Sequence, residues 1–228
     1  MLRRSLLALV CSLLTVHAAE TKTRIALAGD STVTDKAGWG AAFAKLLGPD
    51  AECINFAQGG RSSKSFRDEG HWKKLLDSKP AFVLIQFGHN DMPGKGPARE
   101  TDPATTFPEN MARYVDEARA IGAQPILVTS LTRRIFDNGK LRGELKPWAD
   151  ATAKVAAEKK VPLVDLFARS VELHTKLGPT ESDTFNPPGK DAKTTDRTHL
   201  NEHGAEIIAK IIADELRKVA PDCAKLLK

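Results

Sequence analysis

The apolar positions of this chain fall into short unbroken runs separated by longer stretches of helical periodicity. Ile25-Ala-Leu-Ala28, within Arg24–Ser31, has no polar face, the pattern of a strand covered on both sides. Glu52–Phe56, Ala81–Phe87, Pro125–Ser130 and Val161–Leu166 are four further short runs that read as strands, Ala81–Phe87 the clearest buried one. Between them lie helical stretches at Trp39–Leu47, His71–Ser78, Pro108–Ile121 and Pro147–Lys160, closed by Gly48-Pro49, Pro80 and Gly122 where such signals are present. Leu166–Leu177 is a further helix, and a closing helix starts near Glu202 with Ala205, Ile208, Ala209 and Ile212 at helical spacing. Met92–Thr106 and Gly178–Thr198 read as surface loops, and Asn138-Gly139 between short apolar flanks predicts a two-residue hairpin. Strands alternating with helices five times predict a three-layer α/β/α sandwich around a five-stranded, mostly parallel sheet.

The amino terminus stands apart from this pattern. Arg3 and Arg4 precede a short apolar run, Ser5–Val16, and then the small residues before Ala18, which is the layout of a signal peptide over residues 1–18. The run is too short to span a bilayer, and no later segment is apolar enough to do so. Residues 19–228 then form one domain, exported to the periplasm or the medium, with no membrane contact after cleavage. Arg3 and Arg4 account for two of the five net positive charges, so the remainder carries only +3 and gives no reason to expect nucleic acid as a partner. Cys53 and Cys223 remain once the leader is removed; they are either a disulfide or two buried thiols, and their spacing is not that of a metal site.

Small and polar residues gather where the predicted strands end. Gly29-Asp30-Ser31 follows the first, Gly60 lies in the loop after the second, and Gly88-His89-Asn90-Asp91 follows the third. A parallel sheet opens these loops on one edge, where such sheets bind ligands. Gly29 is expected to turn the chain through dihedrals that a side chain would forbid. Asp196 stands three residues before His199, close enough for its carboxylate to hold the imidazole, whose far nitrogen can then take a proton from the Ser31 hydroxyl. The Ser31 amide, the Gly60 amide and the Asn90 side chain are natural donors to an oxyanion. Each residue also has an ordinary use: Ser31 or Asn90 as a helix cap, Gly60 as a turn, His199 as a satisfied histidine. His203 is the rival base, disfavoured as a cation in the first turn of a helix. Asp30 is expected to brace the turn.

These blocks resemble those of the SGNH (GDSL-type) hydrolases, in order and over nearly the whole of the chain after the leader. Gly-Asp-Ser-Thr-Val, Ala-Gln-Gly-Gly-Arg-Ser-Ser, Phe-Gly-His-Asn-Asp and the paired Arg133-Arg134 are similar to the rhamnogalacturonan acetylesterase branch. The resemblance implies a flavodoxin-like fold, a triad of Ser31, Asp196 and His199, and an oxyanion hole of Ser31, Gly60 and Asn90. It implies no metal and no organic cofactor. The expected activity is removal of O-acetyl groups from plant cell-wall polysaccharide, rhamnogalacturonan or xylan, so the expected partner is an acetylated polysaccharide or oligosaccharide. Arg61 and Arg197, with Lys64 and Arg67, are candidates to hold sugar carboxylates, or form a solvated basic rim paired with Asp and Glu. His89 is a candidate shaping or substrate-binding residue. The alternatives are an esterase or lipase of the same family acting on small or lipid esters, and a non-catalytic carbohydrate-binding protein. Gly-x-Ser-x-Gly is absent, which argues against an α/β-hydrolase.

Overall fold

A computed structural model describes residues 22–189, 191 and 194–228. The proposed leader, Cys11 included, lies outside the described residues. In chain order the elements are β1 (Thr23–Gly29), α1 (Gly40–Ala44), β2 (Ala51–Asn55), α2 (Ser65–Asp68), α3 (His71–Asp77), β3 (Phe82–Gln86), α4 (Thr106–Ala120), β4 (Gln124–Val128), β5 (Phe136–Asp137), β6 (Lys140–Leu141), α5 (Lys146–Lys159), β7 (Leu163–Val164), α6 (Leu166–Asp183), α7 (Glu202–Val219) and α8 (Pro221–Ala224). Five strands form one sheet in the order β2-β1-β3-β4-β7, and every neighbouring pair is parallel.

Alternation along the strands builds two apolar layers. Ile25 and Leu27 of β1 pack with Leu84, Ile126 and Val128 against Phe43 of α1 and Ile208, Ile212 and Leu216 of α7. Ala26 and Ala28 face the opposite way and pack with Val83, Ile85 and Leu127 against Leu75 of α3, Met111 and Val115 of α4 and Val155 of α5. Because the central strands β1 and β3 are covered on both faces, they read as unbroken apolar runs, which is why they are visible in the sequence. Each large side chain fully buried here contributes about 1.5–3 kcal/mol. Cys53 and Cys223 are free thiols, and burial pushes each up to about 12.

Three local expectations need adjusting. The fifth strand is shorter than Val161–Leu166, with only Leu163 and Val164 pairing with β4. The segment after Leu177 is not loop throughout: α6 breaks at Gly178 (φ 74°) and restarts at Pro179, reaching Asp183. Gly-Pro normally ends a helix, but proline needs no amide in a first turn and can begin another. The restarted turn is held by Ser182, whose Oγ lies 3.0 Å from His174 Nδ1, and by Phe185, whose ring packs on that imidazole. The short α2 was not anticipated. The hairpin was: β5 and β6 pair across Asn138 and Gly139, both with positive φ.

A chain of buried side chains ties β3 to the turn after β1. Trp39 Nε1 donates to Gln86 Oε1 (3.0 Å), and Gln86 Nε2 donates to Thr32 Oγ1 (2.7 Å). The Thr32 amide and hydroxyl both donate to Asp30 Oδ1, at 2.8 and 2.7 Å. All four residues are fully buried. Replacing Gln86 with leucine strands the indole donor, so Gln86→Leu is expected to cost about 1–3 kcal/mol in urea unfolding; a difference below about 0.5 kcal/mol would remove this network from any account of the turn.

Candidate active site

The sheet order creates a crevice between β1 and β3, since the chain leaves β1 toward β2 on one side and later returns to β3 on the other. Ligands in open parallel sheets bind at that point, beyond the carboxyl ends of the strands. Ser31 follows β1 by two residues, Asn90 follows β3 by four, and Gly60 lies in the loop after β2. Gly29 is required here for space rather than for unusual dihedrals, because its φ is not positive. A Cβ there would stand 2.4 Å from Val33 Cγ2 and 2.9 Å from the Gln86 carbonyl oxygen. At Gly60 the reverse holds: its φ of 79° is a left-handed conformation that favours glycine, while a Cβ would meet no heavy atom nearer than 3.9 Å.

Residues distant along the chain meet at this edge. His199 Nε2 lies 2.8 Å from Ser31 Oγ, and His199 Nδ1 lies 2.7 Å from Asp196 Oδ2. Asp196 Oδ1 accepts from the amides of Thr198 and His199, each at 3.0 Å, which folds the four residues into one turn. Partial burial alone would raise the Asp196 carboxyl; the hydrogen bonds from the His199 amide and ring and the Thr198 amide outweigh it and hold the group below its ordinary value. The imidazole therefore faces a carboxylate on one nitrogen and a hydroxyl on the other. His203 does not share this position: it lies in the first turn of α7 with its ring against Phe185. Asn201 caps α7 through the Gly204 amide (2.8 Å) and fixes where the His199 turn ends.

Three donors border the Ser31 hydroxyl's loop. Among the described residues, no hydrogen bond engages the Ser31 or Gly60 amide, and Asn90 Nδ2 uses one hydrogen on the Arg61 carbonyl oxygen at 3.2 Å. Below them sits Asp91, fully buried. It accepts from the Ser63 amide and hydroxyl and from Thr101 Oγ1; burial nevertheless pushes its carboxyl up to about 7.

Other expected site residues are placed differently. His89 is only 2 % exposed, with Nδ1 3.4 Å from Asp30 Oδ2. It braces the turn from beneath, as Asp30 does. Burial would raise the Asp30 carboxyl, but the neighbouring His89 and the hydrogen bonds from Thr32 bring it below its ordinary value. Arg61 pairs with Glu69 at 2.8 Å and Arg197 with Asp183 at 3.1 Å. Arg67 pairs with both oxygens of Glu117, and Lys64 donates to the Pro97 carbonyl oxygen. These four cations are a rim with partners of their own. No group of three or more His, Cys, Asp or Glu side chains among the described residues is arranged to hold a metal ion.

The residue that sequence reasoning left without a role is Arg134. It is fully buried, Nε donates to Asn186 Oδ1 (2.7 Å), Nη2 donates to the His199 carbonyl oxygen, and its amide donates to the Arg197 carbonyl oxygen (2.9 Å). Burial lowers its guanidinium to about 10, although Asp196 and Asp183 act to raise it. The sequence offered only the Arg133-Arg134 pair after β4; that the second is buried, where such a charge needs specific partners, is seen only in the fold.

A hydroxyl, an imidazole and a carboxylate joined in that order, at the switch point of a parallel sheet and beside unpaired amides, have the chemistry to activate an oxygen nucleophile. The comparisons with known proteins show the family. The chain belongs to the GDSL-like lipase/acylhydrolase family, whose model matches residues 26–207. It is 37 % identical over 213 residues to rhamnogalacturonan acetylesterase RhgT of Bacillus subtilis (strain 168), covering 86 % of this chain and 90 % of that protein. It is 34 % identical to the probable rhamnogalacturonan acetylesterase YesY of the same organism, covering 86 % of this chain and 93 % of that one. The solved structure of the YXIM protein of Bacillus subtilis superimposes with a TM-score of 0.74 at 27 % identity over 87 % of this chain, which spans 57 % of that longer protein.

Removing the Arg134 guanidinium is expected to loosen the turn that carries His199. Arg134→Met should lose about 1.5–3 kcal/mol of stability and lower kcat on a small acetyl ester at least about tenfold with KM little changed. Arg134→Lys should recover part of the stability. A kcat equal to that of the wild type would mean that His199 holds its position without this support.

Proposed function

We propose that this protein is a serine esterase that removes O-acetyl groups from plant cell-wall polysaccharide, acetylated rhamnogalacturonan first and xylan second. The observation that carries the reading is the Asp196–His199–Ser31 chain of contacts, 2.7 and 2.8 Å long, opening beside the Ser31, Gly60 and Asn90 donors. The relatives named rhamnogalacturonan acetylesterase, matched over most of their length, support the choice of polymer.

In this reading His199 Nε2 takes the Ser31 proton as Oγ attacks the acetyl carbonyl carbon. The carbonyl oxygen becomes an oxyanion held by the Ser31 and Gly60 amides and the free hydrogen of Asn90 Nδ2. Two of these donors belong to fixed backbone and the third is held by its bond to the Arg61 carbonyl oxygen, so little rearrangement is needed when charge develops. Asp196 stays ionised and stabilises the imidazolium. The imidazolium gives its proton to the sugar oxygen as the C–O bond breaks, leaving acetyl on Ser31. A water then gives a proton to His199 while its oxygen attacks the acetyl group, and acetate leaves as Ser31 regains its proton. Residues 1–18 direct export, so the mature chain meets its polymer outside the cytoplasm.

Ser31→Ala should lower acetate release from acetylated rhamnogalacturonan roughly 10⁴-fold or more. On p-nitrophenyl esters the wild type should prefer acetate; a preference for acyl chains of eight carbons or more would replace polysaccharide by lipid as the substrate class. A wild type that binds the polymer yet frees no acetate from it or from xylan would leave a binding protein instead. Protein recovered from outside the cytoplasm should begin at Ala19, and an intact amino terminus there would contradict the leader.

A further inference from the structure

The turn that carries His199 leans on one short segment, residues 183–186, where α6 ends. Asp183 pairs with the Arg197 guanidinium at 3.1 and 3.2 Å. Asn201 donates its amide to the Phe185 carbonyl oxygen (2.9 Å) and its Nδ2 to those of Thr184 and Asn186 (2.8 and 3.1 Å). Asn186 Oδ1 accepts from Arg134, which in turn reaches the His199 carbonyl oxygen. Packing there is close as well as bonded. A Cβ on Gly204, in the first turn of α7, would stand 3.0 Å from the Phe185 carbonyl oxygen and 3.1 Å from its side chain.

The helical ladder does not hold this segment. α6 is interrupted at Gly178, and Pro179 has no amide to carry the ladder across the break. The contact that spans the gap joins His174 to Ser182, eight residues on: Nδ1 lies 3.0 Å from Ser182 Oγ, itself 3.5 Å from the His174 carbonyl oxygen. Phe185 closes over the imidazole edge-on, with 4.9 Å between ring centres. His174 and Ser182 are both fully buried. Burial, and to a smaller extent Arg134, lowers the His174 imidazole to about 4, so near neutral pH the ring carries no charge. Of its two nitrogens only Nδ1 has a hydrogen-bond partner among the described residues. A proton on Nδ1 then leaves a bare lone pair at Nε2 instead of a stranded N–H, and the ring acts as a donor to the serine.

We propose that His174 is a positioning residue: by bonding Ser182 and seating Phe185 it fixes residues 183–186, and through them it holds His199 against Ser31. The proposal rests on the esterase reading above for the reaction that this support serves, and on the geometry of α6 for the support itself. Since neither His174 nor Ser182 is exposed to touch a polymer, their loss acts on the chemical step and not on substrate binding.

Three variants of the full chain test it. His174→Leu removes the bond and keeps an apolar side chain, Ser182→Ala removes one oxygen, and His174→Asn keeps an N–H donor near the place of Nδ1. In hydrogen exchange followed by NMR, His174→Leu and Ser182→Ala should each speed exchange of the Asn201 amide at least about tenfold, while the amides of β1 and β3 keep their wild-type rates. On a small acetyl ester the same two variants should lower kcat about ten- to a hundredfold with KM changed less than about twofold, and His174→Asn should recover most of that loss. Val155→Ala, a truncation in the opposite apolar layer, is the control: it should lower the melting temperature and leave kcat unchanged. Where His174→Leu does not fold, Ser182→Ala decides. An unchanged Asn201 rate in Ser182→Ala, a loss of kcat matched by Val155→Ala, or a His174→Asn variant no better than His174→Leu overturns the proposal. A wild type without esterase activity whose variants still loosen Asn201 keeps the support and removes the esterase reading. An active wild type whose variants change neither exchange nor kcat does the opposite.

Discussion

The rest of the site depends on how closely β1 and β3 approach at Gly29. That residue pairs with Gln86, and the space above it is filled by Val33 and the Gln86 backbone, so no side chain fits between the strand and the turn that follows. The close approach puts the Gln86 amide directly under the turn, where it meets both Thr32 and Trp39. Asp30 completes the brace from inside, as a carboxyl without solvent that accepts the Thr32 amide and hydroxyl on Oδ1 and has the His89 ring 3.4 Å from Oδ2. An uncompensated charge at that depth would cost several kcal/mol. Its partners are accordingly what hold Ser31 at the cleft, not additions to a turn that would form anyway.

The partner of Ser31 is held by different means. Residues 196–200 belong to no helix or strand, yet the segment is fastened along its length. The Arg134 amide reaches the Arg197 carbonyl, its guanidinium reaches the His199 carbonyl, and the Leu200 and Asn201 amides donate to the Ala37 and Phe185 carbonyl oxygens. Ala37 lies on the same loop that begins with Ser31. Hydroxyl and imidazole are therefore joined through a short bonded path as well as facing each other, and little reorganisation is needed before a proton moves.

The sheet was legible because burial on both faces leaves strands as bare apolar runs, and the Asp196–His199 spacing was legible because a turn joins residues three apart. What the sequence concealed was pairing. Arg61 and Arg197 attract notice as cations beside the reacting groups, but Glu69 and Asp183, eight and fourteen residues away, engage them. His89 is adjacent in sequence to Asn90 and yet its ring lies against Asp30 inside the protein. Gly178-Pro179 marks a helix end wherever nothing continues beyond it; only the packing of Ser182 and Phe185 on His174 shows that here another turn follows. Each of these features is a contact across the chain, where local pattern carries no information.

The fastening of the His199 turn has a wider bearing. Ser31 and His199 are supported from the sheet edge, α6 and the Ala37 loop, whereas residues 92–105 form a separate excursion between β3 and α4. A descendant of this chain can thus exchange that excursion for another while Ser31 and His199 keep their mutual support, so that the two halves of this sheet edge are separately heritable parts of one small scaffold.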